Sequence, residues 1–92
     1  MSAKPERAAV FEPEFREDLK YRVAVERKTA LRILTLVEDT LRSPFDRLGK
    51  PEPVRYRLNG AWSRRITGEH RMVYRVYPDH IAFLAARYHY GD

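Results

Sequence analysis

Apolar residues recur at three- and four-residue spacing in the first half of the chain and at two-residue spacing from Pro53 onward. Ala8 to Phe11 is a short apolar run, enough for one strand, and Met1 to Arg7 before it reads as a loose N-terminal extension. Glu12-Pro13-Glu14 then has the form of a helix start: proline at an early helical position, acids near the positive end of the dipole. Phe15, Leu19 and Val23 follow at helical spacing, and Ala30, Ile33, Leu34, Val37 and Leu41 continue the stripe until Ser43-Pro44 ends it. Read as one rod, this is a helix of about 30 residues and about 45 Å. A domain of this size has a radius of gyration of about 12 Å, so the rod could not bury its stripe against one core. The pattern therefore predicts a bend in Glu26-Arg27-Lys28-Thr29, with Thr29 capping a second helix.

After Pro53, Val54, Tyr56 and Leu58 alternate with Arg55 and Arg57, and Asn59-Gly60 supplies a hairpin turn. Trp62, Arg64 and Ile66 alternate with Ser63 and Arg65; a turn over Thr67 to His70 leads into Met72, Val73, Tyr74 and Val76. Pro78-Asp79 turns the chain again, and Ile81 to Tyr90 forms the last strand. Short connections imply antiparallel neighbours. The expected fold class is α+β: an N-terminal strand and a helical hairpin packed on one face of a twisted, mainly antiparallel β-sheet. The other face is left to carry Arg. Arg71, Val73 and Arg75 share that outer face, and Trp62 is expected in the core or at a partner interface.

Composition narrows the function. Ninety-two residues make one domain, 1–92, with no room for a second core. No signal peptide is legible in the first fifteen residues, which are interrupted by charge, and the longest apolar run, Ile81 to Ala86, is too short to span a bilayer. With no cysteine, the expectation is a soluble cytoplasmic protein without membrane attachment. The net charge of +5 is unevenly spread: Arg47 to Arg75 holds eight basic residues, seven of them Arg, against Glu52 and Glu69. Arginine's planar fork suits phosphate, which makes nucleic acid the first partner to consider, ahead of a face kept basic for solubility.

No metal-ligand spacing appears among three scattered His and no Cys, and the four Gly form no phosphate loop, so no metal and no cofactor are expected. What remains suits RNA cleavage without a metal. RNA carries its own nucleophile, the 2′-hydroxyl, so an enzyme need only remove one proton, supply another and neutralise the phosphorane between them. Glu52, His89 and an Arg group can fill those roles, and Tyr88 and Tyr90 flank the histidine. Taken singly, Glu52 also reads as an exposed loop acid and His89 as a surface residue; His70 and His80, beside turns, read as structural.

The runs Gly49-Lys50-Pro51-Glu52-Pro53, Leu58-Asn59-Gly60, Trp62-Ser63-Arg64-Arg65-Ile66-Thr67, Glu69-His70-Arg71-Met72-Val73-Tyr74 and Arg87-Tyr88-His89-Tyr90, in this order after Ser43-Pro44-Phe45, resemble the YoeB/Txe family. These are toxins of type II toxin–antitoxin modules in the RelE-like superfamily. The resemblance implies a RelE-like fold and a ribosome-dependent mRNA endoribonuclease, with mRNA, the ribosome and a cognate antitoxin as partners and a possible homodimer. Carried over by position, it implies Glu52 as general base, Arg71 as stabiliser of the transition state, His89 as general acid and Tyr90 as its assistant. It implies Lys50, Arg55 and Arg65 as holders of the RNA backbone. Two other readings stand beside it. One is a non-catalytic module that binds RNA or the ribosome through the same Arg face. The other is a RelE-like relative acting on a protein, which would not need the Glu52, Arg71 and His89 set.

Overall fold

The computed structural model describes residues 6–54 and 60–89, the last two through their backbone. Five strands and two helices follow in the order β1 (Ala8–Phe11), α1 (Pro13–Val25), α2 (Arg27–Arg42), β2 (Glu52–Pro53), β3 (Trp62–Arg65), β4 (His70–Val76) and β5 (His80–His89). They form one sheet in the order β1-β5-β4-β3-β2. β2 to β5 are antiparallel, as short turns require, while β1 runs parallel to β5 with Ala8 opposite His80 and Phe11 opposite Phe83. The parallel pair is possible because the whole helical hairpin lies between β1 and the rest of the sheet. The expected strand over Val54, Tyr56 and Leu58 and the turn residue Asn59 fall on or run into 55–59, outside the described residues; Gly60, at φ +92°, holds the turn conformation that favours glycine.

The helices begin and divide where expected, with differences in detail. Pro13 occupies the first turn of α1 and Glu14 lies at its positive end. The break falls at Glu26, with φ −152° and ψ 93°, so that one residue ends α1 and precedes α2. Thr29 is no cap: it lies inside α2 and is buried. The α1 stripe is also re-phased, since Phe15 is buried but Val23 is 51% exposed. At about 100° per residue, a position eight residues on has drifted about 80°, whereas one seven residues on returns to within about 20°. Arg22 therefore takes the inward place, 7% exposed, with Nε and one Nη lacking a hydrogen-bond partner. In α2 the same arithmetic buries Ile33, Leu36, Val37 and Thr40 and leaves Leu34 exposed.

Both helices lie on one face of the sheet. Phe15, Ile33, Leu36 and Val37 meet Met72, Tyr74, Ile81, Phe83 and Ala86 there. Arg64 is buried within this layer at 0% exposure, and all five of its N–H donors are engaged. Nη1 donates to Asp39 Oδ2 at 2.7 Å and to the Leu48 carbonyl at 3.0 Å. Nη2 donates to the carbonyls of Ser43 and Asp46, and Nε donates to the Tyr74 hydroxyl at 3.2 Å. Tyr74 in turn donates to the Pro44 carbonyl at 2.6 Å. Burial raises the Tyr74 pKa against the opposing pull of Arg64, which keeps the hydroxyl a donor. Burial also acts to raise Asp39, but the hydrogen bonds from Arg64 and the Leu48 N–H, with the charges of Arg64 and Arg47, hold its carboxyl below the ordinary 3.8.

Arg64→Ala would strip the buried Asp39 carboxylate of its 2.7 Å partner, leaving it only the Leu48 N–H and the exposed Arg47 at 3.6 Å, and its expected cost is roughly 3–5 kcal/mol. That is a large share of the about 5–15 kcal/mol by which domains are stable, so the urea midpoint should fall sharply. Because Asp39 is lowered in the folded state, its contribution is complete above the ordinary carboxylate range and is lost as pH falls through the lowered value. Urea midpoints measured from pH 6 down to 2.5 should decline below about pH 4, and Asp39→Asn should be weaker at neutral pH with a flatter acid limb.

Candidate active site

The Arg64 network fixes the backbone of Ser43 to Leu48, and the next residues deliver the site. Gly49 has φ +76°, and its carbonyl accepts the Arg65 N–H at 2.8 Å. A Cβ there would meet Arg64 Cβ, the Arg65 carbonyl and Leu36 Cδ2, each at 3.1 Å. Lys50 follows at φ 50°, exposed and in the left-handed region that a residue other than glycine enters at a cost of order 1 kcal/mol. Two residues on, Glu52 enters the sheet opposite Ser63.

Directly paired residues of an antiparallel ladder share a face, so one row reads Glu52, Ser63, Val73, Ala85. The next row reads Arg65, Arg71, Tyr88. Across these rows Arg71 Nη1 meets Glu52 Oε2 at 2.7 Å and lies 3.5 Å from Ser63 Oγ. The pair is asymmetric: the Arg71 side chain is 10% exposed and the Glu52 side chain 43%. A guanidinium held from below and a carboxylate open to solvent make a place where an anion can meet fixed charge beside a proton acceptor. Arg65, exposed opposite Arg71, adds a second cation. The backbone of His89 lies opposite His70, one step from the Arg71–Tyr88 pair.

Glu52, Arg71 and Arg65 are thus brought together, with His89 one ladder position away and Lys50 two residues before Glu52. Arg55 and Tyr90 lie outside the described residues. The outer face is not simply left to Arg: Val73 is buried there with Val54 and Ala61, Leu84 packs alongside, and Arg71 is buried rather than solvated. Trp62 is half-buried with its ring 4.9 Å from that of Phe45, at the edge of the main core. His80 pairs with Asp79 at 2.8 Å and stacks on Tyr77, in keeping with a structural reading. Sequence reasoning missed the importance of Arg64, Asp39 and Ser63. A signal existed, since Arg64 stands in the inward phase between Trp62 and Ile66, where a charge requires a buried partner. Among the described residues no group of three or more His, Cys, Asp or Glu could hold a metal ion, and no helix is long and apolar enough to cross a membrane.

Comparison with known proteins shows the family and the fold. Residues 11–90 match the family described as "YoeB-like toxin of bacterial type II toxin-antitoxin system". The chain is 49% identical over 84 residues to Toxin YoeB of Mycobacterium bovis, covering 91% of this chain and 99% of that protein. Among solved structures, the YoeB dimer from Staphylococcus aureus superposes with a TM-score of 0.85 at 36% identity, over 94% of this chain and 100% of that one. The YoeB–YefM complex from the same organism gives a TM-score of 0.80 at 36% identity, with the same coverage.

The loop that delivers Glu52 makes a direct demand on Gly49. Gly49→Ala adds positive-φ strain and three tight contacts, for an expected loss of roughly 1–3 kcal/mol. Thermal unfolding should show it, and an unchanged melting temperature would mean that the loop is not held as described.

Proposed function

The chain belongs to the YoeB-like toxin family of bacterial type II toxin–antitoxin systems, and from that premise we propose that it is an endoribonuclease that cuts mRNA on the ribosome by acid–base catalysis without a metal. The observation that carries this reading is the Glu52–Arg71 pair at 2.7 Å, set one ladder position from His89. Glu52 takes the proton from the RNA 2′-hydroxyl, and the freed oxygen attacks the adjacent phosphorus. Arg71 offsets the charge that grows on the phosphorane oxygens. The bond to the 5′-oxygen then breaks, and His89 supplies that oxygen with a proton, leaving a 2′,3′-cyclic phosphate and a free 5′-hydroxyl. Tyr90 assists His89, while Lys50, Arg55 and Arg65 hold the backbone on either side.

The partners follow from the same surface. The basic face that receives RNA also receives an acidic segment of a cognate antitoxin, which covers it and keeps the protein silent. The Staphylococcus aureus relatives, one a dimer and one bound to YefM, support an antitoxin complex and a homodimer for this chain. A non-catalytic module using the same arginines would bind RNA and leave it whole.

Single-turnover cleavage of ribosome-bound mRNA tests the chemistry. His89→Gln and Glu52→Gln should each lower the rate roughly 10²–10⁴-fold, the usual share of one acid or base. Arg71→Ala should be at least as damaging. A 2′-O-methyl group at the cut site should abolish cleavage and leave binding largely intact. Continued cutting of that substrate, or near wild-type rates in both Gln variants, would contradict the assignment.

Binding gives an independent expectation. Affinity for RNA should fall steeply with salt, and Arg65→Ala should reduce the slope of log affinity against log salt by about 1. A salt-insensitive affinity would point to a protein target instead.

A further inference from the structure

β5 carries an irregularity just before its functional end. Val73 stands opposite Ala85 and Arg71 opposite Tyr88, so a single β4 residue, Met72, faces two β5 residues, Ala86 and Arg87. Such a bulge leaves a backbone group out of the ladder, and Ala86 is fully buried, where an unmet N–H is costly. That N–H is met from outside the sheet: Asp18 Oδ2, on α1, accepts it at 2.8 Å. The other bulged residue is held by the same helix, with the Arg87 guanidinium 3.7 Å from the centre of the Tyr21 ring. Asp18 and Tyr21 are three residues apart and so share one side of α1.

The bulge decides what lies opposite what. Continued without it, the register from Val73–Ala85 would set Arg71 opposite Arg87 and His70 opposite Tyr88, and His89 would fall against Glu69. With it, Arg71 meets Tyr88 and His70 meets His89. A shift of one residue is about 3.4 Å along the strand and moves each position to the opposite face. We propose that Asp18 is a positioning residue for the catalytic end of β5: by tying down the Ala86 N–H it fixes the bulge that sets Tyr88, in place of Arg87, opposite Arg71, and so fixes the path by which the strand delivers His89 one residue on. This rests on the reading of His89 as the acid.

The test is single-turnover cleavage of ribosome-bound mRNA by the full chain across protein concentrations, which separates the maximal rate from the half-saturating concentration. Asp18→Ala should lower the maximal rate roughly 10–100-fold, as a misplacement of about 1 Å can, with the half-saturating concentration unchanged within about twofold. Asp18→Asn keeps an oxygen that can accept the Ala86 N–H and should retain most of the rate. Amide exchange at Ala86 should be slow in the wild type and Asp18→Asn and fast in Asp18→Ala. If Asp18→Ala does not fold, Asp18→Glu serves, since it keeps the charge but displaces the acceptor by one methylene and should also lose rate. A wild-type maximal rate in Asp18→Ala or Asp18→Glu, a loss confined to half-saturation, or equal losses in the Ala and Asn variants would overturn the proposal. His89→Gln is run alongside: wild-type cleavage there sinks the acid assignment itself, while exchange at Ala86 still decides whether Asp18 holds the bulge.

Discussion

The buried guanidinium of Arg64 is the constraint on which the rest of the molecule depends. It joins three things that share no local sequence: α2 through Asp39, the loop after it through the carbonyls of Ser43, Asp46 and Leu48, and the sheet through Tyr74. A lysine could not replace it, because one ammonium has three donors and no planar fork with which to reach five acceptors. The loop from Ser43 to Leu48 has no regular structure to satisfy its own carbonyls, so a side chain does it instead. Ion pairing at such depth contributes little net stability over an apolar core, but its directional hydrogen bonds are met only by partners arranged as these are.

That arrangement is what puts the candidate site on the far side of the sheet. β3 alternates, so Arg64 points into the helical layer while Ser63 and Arg65 face the other way, toward Glu52 and Arg71. One strand thus serves as anchor on one face and as site on the other. The loop tied down by Arg64 leads, through Gly49 and Lys50, into the strand that carries Glu52. The small apolar cluster of Val54, Ala61, Val73 and Leu84 backs the site on that outer face. Charged groups next to such a cluster are less screened than on an open surface, which would strengthen their attraction for an anion.

Much of this was legible in the residues. The switch from helical to two-residue spacing, the helix start at Pro13, the stop at Pro44, and the turn at Gly60 placed the elements and their antiparallel order. The charge pattern marked the segment that carries Arg65 and Arg71, and the ordered runs around Glu52, Arg71 and His89 pointed to the family that the comparisons show. Other features were hidden for physical reasons. Val23 was misread because four-residue spacing drifts around a helix, so Arg22 takes the inward position. The parallel β1–β5 pair joins the two ends of the chain, and no local pattern specifies such a contact. The bulges of β5 add residues without any Gly or Pro to mark them.

The central claim is that a carboxylate and an imidazole share the proton transfers while Arg71 holds the phosphate between them. The dependence of the single-turnover cleavage rate on pH tests it most directly. The account predicts a rate that rises and then falls with pH, the rising limb disappearing in Glu52→Gln and the falling limb in His89→Gln. A profile that keeps both limbs after either substitution would contradict it.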